Sequence, residues 1–238
     1  MATTHPNKHR RSKKIKNVLI DLVIIIALGV FTVALFCSYS PKNLLLFAII
    51  LIFFSFTFVS VSIIILLSEL KTMSSINIVM SSAFAALIFS INYFSMLLPP
   101  FLYAIIPFAA GFFFYFPSSI VYGAFRYIAH EKGAAFFIML LYGLLSELFW
   151  PNLLWLPYYL AWGSILEIVS DEEYPLLEGF IFGFVGASLS VNYMLITWGY
   201  YKPIFIILPS IIGDGVLSLF GFRIGLKIGK EMSSVFGR

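Results

Sequence analysis

The sequence predicts an all-α membrane protein, a polytopic bundle of about eight transmembrane helices in which two N-terminal helices precede a six-helix core, with both termini cytoplasmic. Three observations predict it. Of 238 residues, 61% are hydrophobic and only 11% charged, against about 25% charged in a soluble domain. Apolar runs of 16 to 25 residues recur from Asn17 to Lys227 with hardly a charge inside them, which is the length that crosses hydrocarbon as helix. The charges that do occur cluster between those runs.

Cutting at charges and at Pro, Gly and Asn clusters gives spans at 17–36, 44–67, 76–98, 101–128, 135–150, 154–169, 175–195 and 203–228. Residues 1–16 form a basic cytoplasmic tail, 17–75 a two-helix extension and 76–238 the six-helix core. The net charge of +4 owes much to Lys8, Arg10, Arg11, Lys13, Lys14 and Lys16 in that tail. A basic flank on a first span reports orientation and contact with anionic lipid, and no nucleic-acid partner is expected from it. The first span, with about 20 apolar residues and no small-x-small pattern in Phe36-Cys37-Ser38-Tyr39-Ser40, reads as a retained anchor rather than a cleaved leader. A lone cysteine, Cys37, excludes an internal disulfide and a cysteine metal cluster. Pro107 and Pro117 interrupt the fourth span, giving one kinked helix or two halves; Pro157 makes the short sixth span a candidate for tilting or re-entry.

An even number of spans places Lys71, Arg126, Lys132, Arg223, Lys227, Lys230 and Arg238 on the side of the basic tail, with Lys42 and Lys202 opposite, as the positive-inside rule expects of a multi-pass protein of the cell membrane. The outer ends then collect Tyr93, Tyr103, Trp150, Trp155, Tyr158, Tyr159, Tyr193, Trp198, Tyr200 and Tyr201, an interfacial aromatic belt. Small residues recur every fourth position at Gly179, Gly183 and Ala187 and at Gly221, Gly225 and Gly229, predicting close packing of the last two spans. In the third span Ser81 stands over Ala85 and Ser82 over Ala86, a smooth strip that suits an internal contact or a docking surface.

Carboxylates in hydrocarbon are costly and therefore informative. Asp21, Glu178 and Arg223 lie close enough to the inner boundary to snorkel. Asp214, between Gly213 and Gly215, falls near mid-span with no role assigned. Glu147, Trp150, Asn152, Trp155, Asn192 and Trp198 gather at outer ends as an aromatic-walled, acid-tipped pocket suited to a flat or cationic solute, and Glu167 is a further candidate. No catalytic constellation is found. His130-Glu131 lacks a second histidine one turn on, His5, His9 and His130 all lie at polar edges, no arginine or histidine follows Glu172-Glu173, and Gly229-Lys230 lacks a phosphate-loop pattern. No enzymatic activity, metal or cofactor is expected. A partner-anchoring protein without solute, and a lipid-modifying enzyme using Asp214, are the competing readings.

The strip Ser81–Ala86, the stretch Arg126-Tyr-Ile-Ala-His-Glu-Lys132-Gly133-Ala134-Ala135, and the segments Gly143-Leu-Leu-Ser-Glu147 and Gly163-Ser-Ile-Leu-Glu167 give residues 76–238 a further aspect. This region resembles the substrate-binding membrane component (S component) of energy-coupling factor vitamin transporters, in the branch associated with thiamine-precursor uptake. The resemblance implies capture of a small vitamin-like solute at the outer face and uptake driven by a membrane coupling subunit and separate ATPase subunits. It implies docking through Ser81, Ser82, Ala85 and Ala86, and recognition by Glu147 and the outer tryptophans, with Glu167 and Asn192 behind them. The first two spans are extra to that family's core.

Overall fold

The computed structural model describes residues 6–40, 43–69, 73–99, 109–129, 131–153, 155–169 and 175–235. Tyr103, Pro107, Lys42, Lys71, His130, Glu172, Glu173 and Arg238 lie outside these. Among the described residues eight α-helices follow one another: α1 Pro6–Ser38, α2 Leu44–Glu69, α3 Ser75–Leu97, α4 Phe116–Ile128, α5 Ala134–Phe149, α6 Leu156–Val169, α7 Pro175–Trp198 and α8 Ile204–Val235. No strand occurs among the described residues.

Two helices outrun the predicted spans. α1 starts at Pro6, inside the stretch assigned to a separate tail, and α8 continues through Lys227 and Lys230. Charges end the stretch that lipid will accept, whereas the backbone ladder continues through Lys and Arg, which are good helix formers. The fourth span is one continuous helix from Ala109 onward, with a π turn at Gly111–Tyr115 leading into α4. Pro117 is eight residues into this continuous helix, where its missing N–H interrupts the ladder, and the wider π turn just before it absorbs the mismatch.

Ring contacts and hydrogen bonds sort the helix ends into two groups. At one end Trp155 before α6 meets Trp198 of α7 with centroids 5.3 Å apart, Tyr39 after α1 stacks on Tyr201 before α8 at 5.6 Å, and Tyr93 of α3 stacks on Trp150 after α5 at 5.6 Å. We call this the tryptophan end. At the other, Ser74 before α3 donates its N–H to Glu131 in the α4–α5 connection (2.8 Å), Gly133 N–H donates to Glu167 of α6 (2.8 Å), and Arg126 of α4 pairs with Glu178 of α7 (2.8 Å). This is the ion-pair end. Successive helices therefore run up and down between them.

The side-chain distribution is inverted relative to a soluble protein. Phe53, Phe56, Ile64 and Leu67 of α2, Ile26 and Val30 of α1, Phe94 of α3 and Phe205 and Phe220 of α8 all face outward, while Asp214, Glu178, Asn192 and Ser218 are buried. Outward apolar faces on this scale belong in lipid. Among the described residues, five helical segments are long and apolar enough to cross a membrane: Val18–Ser38, Ile52–Glu69, Ser75–Leu97, Pro175–Trp198 and Ile204–Ser234. The protein is an all-helical membrane protein. α6, of 14 residues and so about 21 Å long, falls short of the hydrocarbon thickness but is enclosed by protein from Tyr158 to Leu166, packing against α2, α5 and α7.

Glycines set the closest approaches. Gly179 faces the Phe222 ring, and Gly183 faces the Asp214 carbonyl and Ser218, so the α7 stripe meets α8 as expected. The α8 stripe turns elsewhere: Gly221, Gly225 and Gly229 lie on Phe116, Ile120 and Ala124 of α4. Asp214, Ser218 and Phe222 occupy the face of α8 that meets α7, and the glycine stripe lies on the neighbouring face. α8 is thus wedged between two helices at backbone distance.

Candidate functional site

Residues near the tryptophan end divide into two ring clusters rather than one pocket. Trp155 packs on Tyr158, Tyr193 and Trp198, with centroids 5.4, 5.9 and 5.3 Å away. Trp150 instead joins Tyr93 and Phe89 (5.6 and 5.9 Å) on the α3 side. Glu147 accepts the Asn152 N–H at 2.7 Å, so the carboxylate holds the turn after α5 closed. One turn before Glu147, Gly143 lies directly against Tyr159, whose ring is 4.8 Å from that of Tyr158. Glu147 therefore lies on the α5 face that leads, through Tyr159 and Tyr158, to the Trp155 cluster. Trp198 is 62% exposed and Trp150 40%, as interfacial anchors are.

Asn192 is buried, and its amide donates to the Thr32 hydroxyl of α1 at 3.0 Å. It borders a cavity of ≈ 10 Å³ between Phe31 of α1, Ile50 and Phe54 of α2, and Leu189 and Tyr193 of α7. That is room for about one water, not for a vitamin. The N-terminal helices thus close over Asn192, which corrects its placement in an open recognition surface.

Glu167 belongs to the ion-pair end. Its two oxygens accept Gly133 N–H (2.8 Å) and Phe136 N–H (3.3 Å), capping the first turn of α5. At 1.5 Å per residue, Glu147 is about 20 Å further along the same helix, so the two glutamates do not share a site. The strip on α3 is split as well. Ser81 and Ala85 are 0% exposed and packed inside the chain, whereas Ser82 and Ala86 face outward. Residues four apart share a face, and the two pairs are offset by about 100°. Only Ser82 and Ala86 remain open to another chain.

The ion-pair end holds a cluster that sequence spacing alone did not assemble. Arg126 Nε and the Tyr122 hydroxyl both donate to Glu178 Oε1 (2.8 and 2.7 Å), and Arg126 also donates to the Ala129 carbonyl at 3.3 Å. Arg126 lies in the last turn of α4 and Glu178 in the first turn of α7, so each charge also complements its own helix dipole. Nearby, the Ser74 N–H bonded to Glu131 holds that carboxyl below its usual value. A readable signal existed, opposite charges at the ends of two spans, but a separation of 52 positions hid the pairing.

A buried aromatic column continues inward from the Trp155 cluster. Trp162 donates its indole N–H to the Phe182 carbonyl at 3.0 Å and contacts Tyr158 and Phe182 rings at 5.7 and 4.9 Å. Asp214 is 3% exposed, enclosed by the π turn and α7 and turned away from lipid. A lipid-modifying role would need a carboxylate that lipid can reach.

Comparison with known protein families, curated proteins and solved structures gives no match to this chain.

Proposed function

We propose that this chain captures a flat or cationic small solute at the tryptophan end, as the substrate-binding component of an energy-coupling-factor-type uptake system in the cell membrane. One observation carries the reading: Trp155, Tyr158, Tyr193 and Trp198 converge from α6 and α7 beside the α5 face that bears Glu147. Such rings supply stacking and cation–π attraction, and the carboxylate a charge-assisted hydrogen bond. The rings close on one another here, so a solute enters by parting them. In this reading the ion-pair end is cytoplasmic. Arg126, Lys132, Arg223, Lys227 and Lys230 lie toward it, and Lys202 lies at the other end. A coupling subunit with its ATPases would use the outward Ser82 and Ala86 of α3.

The test is thermal unfolding of the purified protein against thiamine, its pyrimidine precursors, other vitamins and organic amines. At about 100 times Kd a bound solute raises the midpoint by roughly 5–10 °C. Trp155→Ala and Glu147→Gln should abolish that rise. A folded protein whose midpoint moves with no compound overturns the proposal.

A further inference from the structure

Hydroxyl groups inside these helices follow a common rule. Thr32, Thr57, Ser60, Ser81, Ser82, Ser90, Ser146 and Thr197 each donate to the carbonyl four residues back, at 2.6–2.9 Å. In hydrocarbon that back-bond is the default way to satisfy a serine or threonine. Ser118, Ser188 and Ser218 break the rule. All three are 0% exposed, and none of their hydroxyls has a hydrogen-bond partner among the described residues; nor does Oδ1 of Asp214, 3% exposed.

Two of these groups, Asp214 and Ser218, share one face of a helix. Asp214 and Ser218 are one turn apart on the face of α8 that meets Gly183 of α7, which has no side chain to separate them: a Cβ there would lie against Ser218 Oγ and the Asp214 carbonyl. The Asp214 carboxylate also reaches the π turn, where a Cβ on Gly111 would come within 2.6 Å of Oδ1. Ser118 of α4 lies seven residues, about 10 Å, further along the same helix from Gly111, out of reach of that carboxylate. Asp214 is ten residues into α8, about 15 Å from the helix start and so near the middle of the hydrocarbon. A π turn is itself a departure from regular helix that recurs at functional sites.

We propose that Asp214, with the hydroxyl of Ser218, forms a binding site for one small monovalent cation, a sodium ion or a proton, where α8 meets α7 and the π turn. One carboxylate among neutral oxygens carries a single negative charge, which matches a single positive charge. Hard oxygen donors suit sodium, and a carboxyl that takes a proton can donate to Ser218. Occupation satisfies the buried Oδ1, which the Gly111 main chain beside it leaves incompletely bonded, together with the Ser218 hydroxyl. The other titratable or charged groups on these elements include Tyr115 on the π turn, Tyr193 and Glu178 on α7, Tyr122, Arg126 and Tyr127 on α4, Arg223, Lys227, Lys230 and Glu231 further along α8, and Asp21 and Cys37 on α1. Glu178 is already held by Arg126 and Tyr122. The site does not rest on the solute-capture reading.

The experiment uses the purified full chain in lipid nanodiscs. One arm titrates sodium chloride against N-methylglucamine chloride at constant ionic strength and follows the unfolding midpoint. The other records the infrared band of a protonated carboxyl between about pH 5 and about pH 9. Sodium binding raises the midpoint saturably, and Ser218→Ala weakens the apparent affinity by about tenfold or more. Proton binding gives a carboxyl band that titrates in this range and is missing in Asp214→Asn. Ser218→Ala keeps the carboxylate and shifts that titration, so the proposal stays testable if the asparagine variant does not fold. A wild-type protein with neither response overturns the proposal, as does a response that survives in Asp214→Asn.

Discussion

Glu178→Ala tests whether the ion-pair end is held by a desolvated charge pair. Both side chains are nearly sealed from solvent, at 10% exposed for Arg126 and 4% for Glu178. Truncating Glu178 leaves a buried guanidinium with only the Ala129 carbonyl and strands the Tyr122 hydroxyl. Breaking such a pair from one side costs about 3–5 kcal/mol. Glu178→Gln keeps an acceptor for Tyr122 but not the charge, and falls between wild type and alanine. Replacing both charges, Arg126→Met with Glu178→Leu, removes the unpaired charge altogether. It should cost far less than the single variant, with about 1 kcal/mol or less per lost helix-dipole interaction. Reversible unfolding in mixed detergent–SDS micelles reads all four proteins. If alanine costs under about 1 kcal/mol, or if the double variant is as unstable as the single one, the desolvation reasoning fails.

Three further substitutions follow from the same structure. At Gly225 an added Cβ would strike the Ile120 carbonyl and come within 2.9 Å of Ala124 N, both main-chain atoms that cannot swing aside. Gly225→Ala should therefore cost about 1–3 kcal/mol in the same unfolding assay, whereas Gly29→Ala, whose nearest neighbour is Phe184 Cζ at 3.9 Å, should be neutral or slightly stabilising. Glu131 has a lowered folded pKa, so its contribution is present above the ordinary glutamate value and is lost as pH falls through the folded one. Glu131→Gln should lack that increment at neutral pH, by less than about 1 kcal/mol after solvent screening. Its midpoint should be flatter with pH in the acid range; an identical acid profile would count against the Ser74 contact.

The bundle was readable because lipid imposes one rule on every residue. Each of the eight segments that the apolar pattern marks contains a helix, and α7 starts at Pro175 and α6 ends at Val169 as the charges between them imply. What the pattern could not convey was azimuth. Ser81 and Ser82 are equally small and equally apolar in their surroundings, yet one is buried and the other exposed. The stripes at Gly183 and Gly225 look alike in sequence but serve different neighbours. The candidate site suffered more. Glu147 and Glu167 come from similar segments, but α5 and α6 run in opposite directions, which carries one carboxylate to each end. Nothing in the spacing shows that Asn192 spends its amide on Thr32, 160 residues away.

The bonds that join the first two helices to the rest also bear on how the chain is made. Thr32 of α1 waits for Asn192, and Ser62 of α2 for Ser164 of α6, with which it shares a hydroxyl contact of 3.2 Å. During N-to-C synthesis this hairpin enters the bilayer well before either partner has been translated. Thr32 tolerates the delay because its hydrogen is already given to the Leu28 carbonyl, leaving only a lone pair for the late arrival. Thr32 can thus idle in lipid already satisfied and latch when α7 emerges, whereas the Ser62 hydroxyl meets its partner only when α6 arrives. Order of assembly, as much as final stability, is written into which atom of Thr32 is left open.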